Sequence, residues 1–349
     1  MGWRWLLVLT TCASCLFKPQ PSQVQDADPS GVTNLAFVSS RTYVLNMFAN
    51  DASLADRACS DLAHQASPPH GGNFVAWLSM GRDAKSVIGN ARGWVRSDGK
   101  PFADQLEDLI AGKIYYPLEL DETGLNVTGS ADVSVATGTR QDGTRIAGSD
   151  CTSGMVEFGT PDAGAPGWTE VGTLSCSSNL HLYCLQIDHA VPVAPTSGNE
   201  RRVFVTDGTF GPSAGLSAAD AICDTEKGTL SGTFRALLAT DTAVAHARFN
   251  NAPTPWRRLD GVVVTSDWQT FTAPITVTPT QKYVSDLVYI GAPTADSLAS
   301  GHTCASWTDP MALARTYLGI SDRSSTDGFG SYSSNGSCTV LNHLYCVEQ

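Results

Sequence analysis

At 349 residues the chain has room for two domains of ordinary size, each able to bury its own core. Hydrophobic residues at 42% and charged residues at 16% give a globular balance, and 32 glycines point to a fold rich in turns. The formal charge of −12 and a pI near 4.9 argue against a nucleic-acid or anionic-membrane surface, since either calls for basic patches.

The chain opens with MGWRWLLVLTTCASC: one arginine, a short apolar run, then small residues ahead of a cysteine. Residues 1–15 therefore read as an export signal, too short to remain as a membrane-spanning helix. Ala13 and Ser14 before Cys15 fit a bacterial lipoprotein processing site, which makes Cys15 the expected acylated residue. Cys12, behind Thr11, is the poorer alternative, and plain secretion is the blander reading. Residues 16–33 are polar and punctuated by proline, as expected of a flexible tether. No later stretch holds about 18 uninterrupted apolar residues, so the only membrane contact expected is the N-terminal lipid.

The first element expected is a short strand in NLAFVSS, Asn34 to Ser40. SLADRAC, Ser53 to Cys59, begins with serine followed three residues later by aspartate, a weak capping-box variant. Its apolar residues fall at helical spacing, so Cys59 is predicted to project from a helix into a core. In WVRSDG, Trp94 to Gly99, the Asp98-Gly99 pair suits a tight turn, with Trp94 in the core and Arg96 flanking Asp98. PFADQLEDLIAGK, 101–113, reads as a second helix, and LHLYCLQI, 180–187, as a terminal strand.

After HAVPVAPTSGNE, a proline-bearing linker over 189–200, the same landmarks return in the same order. RRVFVTD (Arg201 to Asp207) answers NLAFVSS, and SAADAIC (Ser217 to Cys223) answers SLADRAC. TFRALLA (Thr233 to Ala239) answers NFVAWLS (Asn73 to Ser79), and WRRLDG (Trp256 to Gly261) answers WVRSDG. HLYC closes both copies, at 181–184 and 343–346. A period of roughly 160 residues is too long for a solenoid and suits duplicated domains, here expected over 34–188 and 201–349.

Each copy carries four cysteines: Cys59, Cys151, Cys176 and Cys184, then Cys223, Cys304, Cys338 and Cys346. An even set in an exported chain implies two disulfides per copy, with three pairings open. Zinc is disfavoured, because the spacings are far from those of zinc sites.

This arrangement resembles the C-type-lectin-like fold, and most of all the endostatin-like branch of bacterial surface lipoproteins. The carriers are the FVSS and FVTD strands, the helices bearing Cys59 and Cys223, and the WLS to YYPL stretch of copy one. ATGT (Ala136 to Thr139), CASW (Cys304 to Trp307) and the closing HLYC complete them. The resemblance implies an α+β chain of two tandem domains, each a mixed, mainly antiparallel sheet with flanking helices and adjacent terminal strands. The pairing expected with it is Cys59–Cys184 and Cys151–Cys176, then Cys223–Cys346 and Cys304–Cys338. Copy one has CTSG where copy two has CASW, and copy two has SDWQTFTAPITVTPT in place of FADQLEDL. The copies are therefore not expected to share one ligand surface.

Sites with chemistry are sparse. None of the Glu-Pro-Asn, Gln-Pro-Asp or Trp-Asn-Asp lectin motifs occurs; WTDP (Trp307 to Pro310) is the nearest, and LELDETG (Leu118 to Gly124) reads as a solvated loop. His181 and His343 sit at matching strand positions and read as packed, while His64 and His70 lack further ligands. GTFGPSAG (Gly208 to Gly215) has no Lys-Ser/Thr ending, and no nucleophile elbow or metalloprotease His-Glu pair is present. No metal, cofactor or catalytic residue is assigned. The loops between the inner cysteines differ most, and Trp168, Phe329 and Tyr332 are the expected ligand contacts there, as exposed aromatics. The expectation is a non-enzymatic adhesion lipoprotein of the outer membrane or cell surface, otherwise secreted, that recognises an extracellular protein or matrix ligand. A calcium-independent carbohydrate-binding module and a structural envelope lipoprotein are the alternatives.

Overall fold

Two strands from the ends of the first half set its centre. β1 (Asn34–Val38) runs antiparallel to the terminal strand, pairing Ala36 with Leu185, Phe37 with Cys184 and Val38 with Tyr183. In this computed structural model the described residues are 33–128, 133–196, 198–249, 255–265, 271–311 and 314–349. Cys12, Cys15 and residues 16–32 of the expected tether lie outside them.

The remaining strands of this sheet are β2 (Tyr43–Val44), β3 (Phe74–Ala76), β4 (Trp94–Val95), β5 (Pro101–Ala103), β6 (Val135–Ala136), β7 (Met155–Gly159), β8 (Gly172–Ser175) and β9 (Asn179–Gln186). Their order is β5-β4-β1-β9-β6-β7-β8, with β2 and β3 also pairing with β9. The second half supplies β10 (Arg201–Val205), β11 (Phe234–Ala236), β12 (Trp256–Arg258), β13 (Val263–Thr265), β14 (Leu287–Tyr289), β15 (Arg315–Ile320), β16 (Ser333–Ser337) and β17 (His343–Glu348). Its order, β13-β12-β10-β17-β14-β15-β16 with β11 on β17, is the same path. The register repeats too: Phe204 and Ala236 both face Cys346, as Phe37 and Ala76 face Cys184. The protein is thus α+β, with two mainly antiparallel sheets, few helices and four disulfides among the described residues.

α1 (Ala52–Gln65) buries Ala52, Ala55, Cys59, Leu62 and Ala63, a 3- and 4-residue spacing that puts one face on the sheet. Its cap is Asp51, whose carboxylate accepts the Ser53 amide at 2.9 Å, so Ser53 lies inside the helix and is not the cap. The helix expected over 101–113 is shorter: α2 spans Leu106–Ile110. Pro101 and Ala103 instead pair with Val95 and Trp94, which places Phe102 fully in the core. α3 (Gly215–Glu226) carries Cys223 in the second half.

The disulfides are Cys59–Cys184, Cys151–Cys176, Cys223–Cys346 and Cys304–Cys338, the pairs named from the resemblance. Both outer bridges tie the first long helix of a half to its last strand with Cα atoms 5.4 Å apart. The segment read as a linker is lashed down. The Arg92 amide donates to the His189 carbonyl, the Val193 amide to Asp104 at 2.9 Å, and Val193 is buried.

Candidate functional site

The loops between the inner cysteines were expected to expose Trp168, Phe329 and Tyr332. They do so only for Tyr332, which is half exposed. Trp168 is 1% exposed and packs against Trp77, Phe102 and Tyr183, with ring centres 5.1–5.5 Å away. Phe329 is fully buried, stacked at 3.6 Å on Phe271. Two glycines explain the inward turn. A Cβ on Gly159 would lie 1.8 Å from the Trp168 carbonyl oxygen, and one on Gly319 would lie 2.2 Å from that of Phe329. The returning loop crosses each strand at a point only glycine permits, and that crossing drives the ring into the core. The three aromatics therefore do not form one binding surface.

The remaining sequence-selected residues are mostly structural. His181 and His343 bond through Nδ1 to the carbonyls of Ser39 and Thr206, at 2.6 and 2.8 Å. The hydroxyls of the same two residues accept the Leu182 and Leu344 amides, so each histidine helps fasten the first strand of its half to the last. His64 and His70 each meet a separate backbone carbonyl, those of Gly72 and Glu122. Trp94 and Trp256 are in the core. Arg96 forks onto Asp98 at 2.7 and 3.1 Å, and Arg258 onto Asp260 at 2.5 and 3.0 Å. Among the described residues no group of three His, Cys, Asp or Glu side chains is placed to hold a metal.

The loops carrying Trp168 and Phe329 meet each other. The Gly164 amide donates to the Asp322 carbonyl at 2.6 Å and the Ser324 amide to the Asp162 carbonyl at 2.9 Å. Ala163 and Arg323 face one another between those bonds, so equivalent loops pair antiparallel. Arg323 also reaches Asp162 at 3.0 Å, and the Ser324 hydroxyl donates to Glu119. A second contact lies beside it: Tyr115, Tyr116, Val262 and Ala273 form one apolar cluster, and the Val263 amide donates to the Tyr116 hydroxyl at 3.0 Å. Burial pushes the Asp322 carboxyl up to about 6 and raises that of Glu119 as well.

Surface concavities lie around this framework. One of 310 Å³ sits on the joint and is lined by Thr160, Asp162, Arg323, Ser325 and Thr326. One of 510 Å³ in the second half includes Arg202, Lys227 and Arg257, each already paired with an acid: Glu348, Asp224 and Glu200. One of 520 Å³ in the first half is lined by polar side chains, among them Thr42, Asn126, Ser178, Asn179 and His181, together with Asp121 and several leucines and valines. Glu119 belongs to LELDETG, expected as a solvated loop but buried at the joint, while Asp162 and Asp322 carry no expectation from sequence. Asp56 and Asp220, expected as weak capping-box acids, serve the sheet instead. Those two accept the amides of Ala76 and Ala236 and pair with Arg82 and Arg248. Their matched places in SLADRAC and SAADAIC were the available signal.

The chain matches no protein-family model, and none of the curated proteins matches it.

Proposed function

We propose that the chain is a non-enzymatic binding lipoprotein anchored at the cell surface through Cys15, with two tandem C-type-lectin-like domains of the endostatin-like kind over 34–188 and 201–349. The observation that carries this reading is the repeat of one strand order, with one outer disulfide in each half joining helix to last strand. The bridges fit an oxidising, extracytoplasmic setting. A covalently closed scaffold with unlike loops on its two copies suits recognition of an extracellular protein or matrix component better than chemistry. The test is binding of the mature protein to a panel of purified matrix and serum proteins, with a reduced and alkylated control. Saturable binding lost in the control supports the reading, and no binding to any member counts against it. Acyl labelling of the full chain that disappears in Cys15→Ser tests the anchor.

The first-half groove favours a second reading, a carbohydrate site that works without calcium. Hydroxyl, amide, imidazole and carboxylate groups line it beside aliphatic side chains, and its volume of 520 Å³ admits a sugar unit. A glycan array run with and without chelator separates the two: retained binding to a defined glycan selects the second.

A further inference from the structure

The joint between the halves buries more acid than base. Four carboxylates, Asp98, Glu119, Asp162 and Asp322, face the two guanidinium groups of Arg96 and Arg323. Asp98 and Asp162 take the close contacts, at 2.7 and 3.0 Å, and Lys100 approaches Asp98 from the solvent side at 3.8 Å. Glu119 and Asp322 are left at 4.0 and 3.7 Å from their arginines, beyond hydrogen-bonding reach. The Arg258–Asp260 pair nearby is matched one base to one acid, at 2.5 Å. From the sheets, the tyrosines of the two HLYC segments face the same region: Tyr183 lies near Asp162 and Arg323, and Tyr345 near Asp322. Asp322 Oδ1 and Arg323 Nε are both buried with no hydrogen-bond partner. Asp322 itself is 2% exposed.

We propose that this joint is a proton-sensitive latch: the paired loops 162–164 and 322–324 hold more tightly when Asp322, and secondarily Glu119, carries a proton. An ionised Asp322 carboxylate is desolvated without a close counter-charge, and that burial outweighs the attraction of Arg323 and the hydrogen bonds from Ser285 and the Gly167 amide that favour the charged form. The main chain of Asp322 is itself a latch element, since its carbonyl accepts the Gly164 amide. Protonation therefore acts on the residue that bridges the halves.

The position of the Asp322 carboxyl, near 6, sets the window. A folded-state value above the unfolded one, roughly 3.9, means that the folded state binds the proton more readily. The stabilising contribution is complete below about pH 4, is lost as pH rises through about 6, and is flat beyond. The total change in the folding equilibrium constant from this one group is about 100-fold. This inference concerns the scaffold and is independent of which ligand the protein binds.

The test is thermal unfolding of the mature chain from pH 4 to 8, compared with Asp322→Asn and Glu119→Gln. Asp322→Asn is expected to be more stable than wild type at pH 8, with the difference closing towards pH 4. Glu119→Gln is expected to shift in the same direction by less. A difference that is constant with pH, or that opens on acidification, overturns the latch. If Asp322→Asn does not fold, the carbon-13 titration of the Asp322 carboxyl in wild type decides: a midpoint near 6 supports the latch and one near 4 overturns it. Hydrogen exchange at the Gly164 and Ser324 amides, corrected for intrinsic rate, should show greater protection at pH 5 than at pH 7.5. Equal protection overturns it.

Discussion

In the first half the turn arginine is used at home. Arg96 serves Asp98 and the Pro117 carbonyl, and its partner Asp98 keeps 29% of its side chain in solvent. In the second half the equivalent Arg258 is fully buried. It serves Asp260 and the Pro274 carbonyl and then reaches Ile114 of the first half at 3.0 Å. The Pro117 and Pro274 carbonyls match, so the first half's YYPLELD segment is answered by TAPITVT, a correspondence hidden by composition. Val38 and Val205 donate to Leu120 and Val277 in the same way. The closing elements are shared, and the halves differ at the joint, where Arg258 holds the first half and, among the described residues, Arg96 does not hold the second.

The heaviest loss should follow from cutting the shared closure. Removing Cys59–Cys184 or Cys223–Cys346 by paired serine substitution should cost about 5 kcal/mol in either half, against about 3.5 kcal/mol for Cys151–Cys176. Guanidinium unfolding of the three variants checks this. Unequal losses at the two outer bridges would break the equivalence of the halves. Next comes the arginine pair. Arg258→Met should cost about 3–5 kcal/mol, since it strands the buried Asp260, and Arg96→Met about 1–2 kcal/mol. Equal losses would mean that Arg258 contributes nothing special across the joint. Trp168→Ala and Phe329→Ala should each lower stability by about 3–4 kcal/mol by opening core cavities. Loss of ligand binding with unchanged unfolding midpoints would overturn their assignment to the core. The smallest effect is expected at Tyr332→Ala, within about 0.5 kcal/mol by thermal unfolding. Any loss of matrix or glycan binding there would then report contact rather than folding.

Much of the scaffold was legible because its determinants are local or periodic. The apolar spacing around Cys59 and Cys223 marks one helix face, and the Asp-Gly turns fix the hairpins that carry Trp94 and Trp256. The candidate contacts were not legible, since a loop's composition does not say which way a ring points. That direction was set by Gly159 and Gly319, whose meaning appears only once the loop is seen to cross the strand. The joint was hidden for a related reason. Asp162 and Asp322 look like ordinary turn acids until the two loops are placed against each other. Arg82 and Arg248 serve matched aspartates from unmatched positions, so the repeat itself conceals them.

The placement of the outer bridges also decides how each half answers a mechanical pull. Asn34 and Gln186 lie at the same end of the antiparallel β1–β9 pair, so tension applied there peels the strands apart one bond at a time, a weak geometry. The peeling stops at Cys59–Cys184. Beyond it the load runs through sulfur, bypassing the chain between those cysteines, a sequence separation of 125, and Cys223–Cys346 does the same over a separation of 123. Under tension each half would lengthen by a short leader and then stiffen, with its interior shielded from the force.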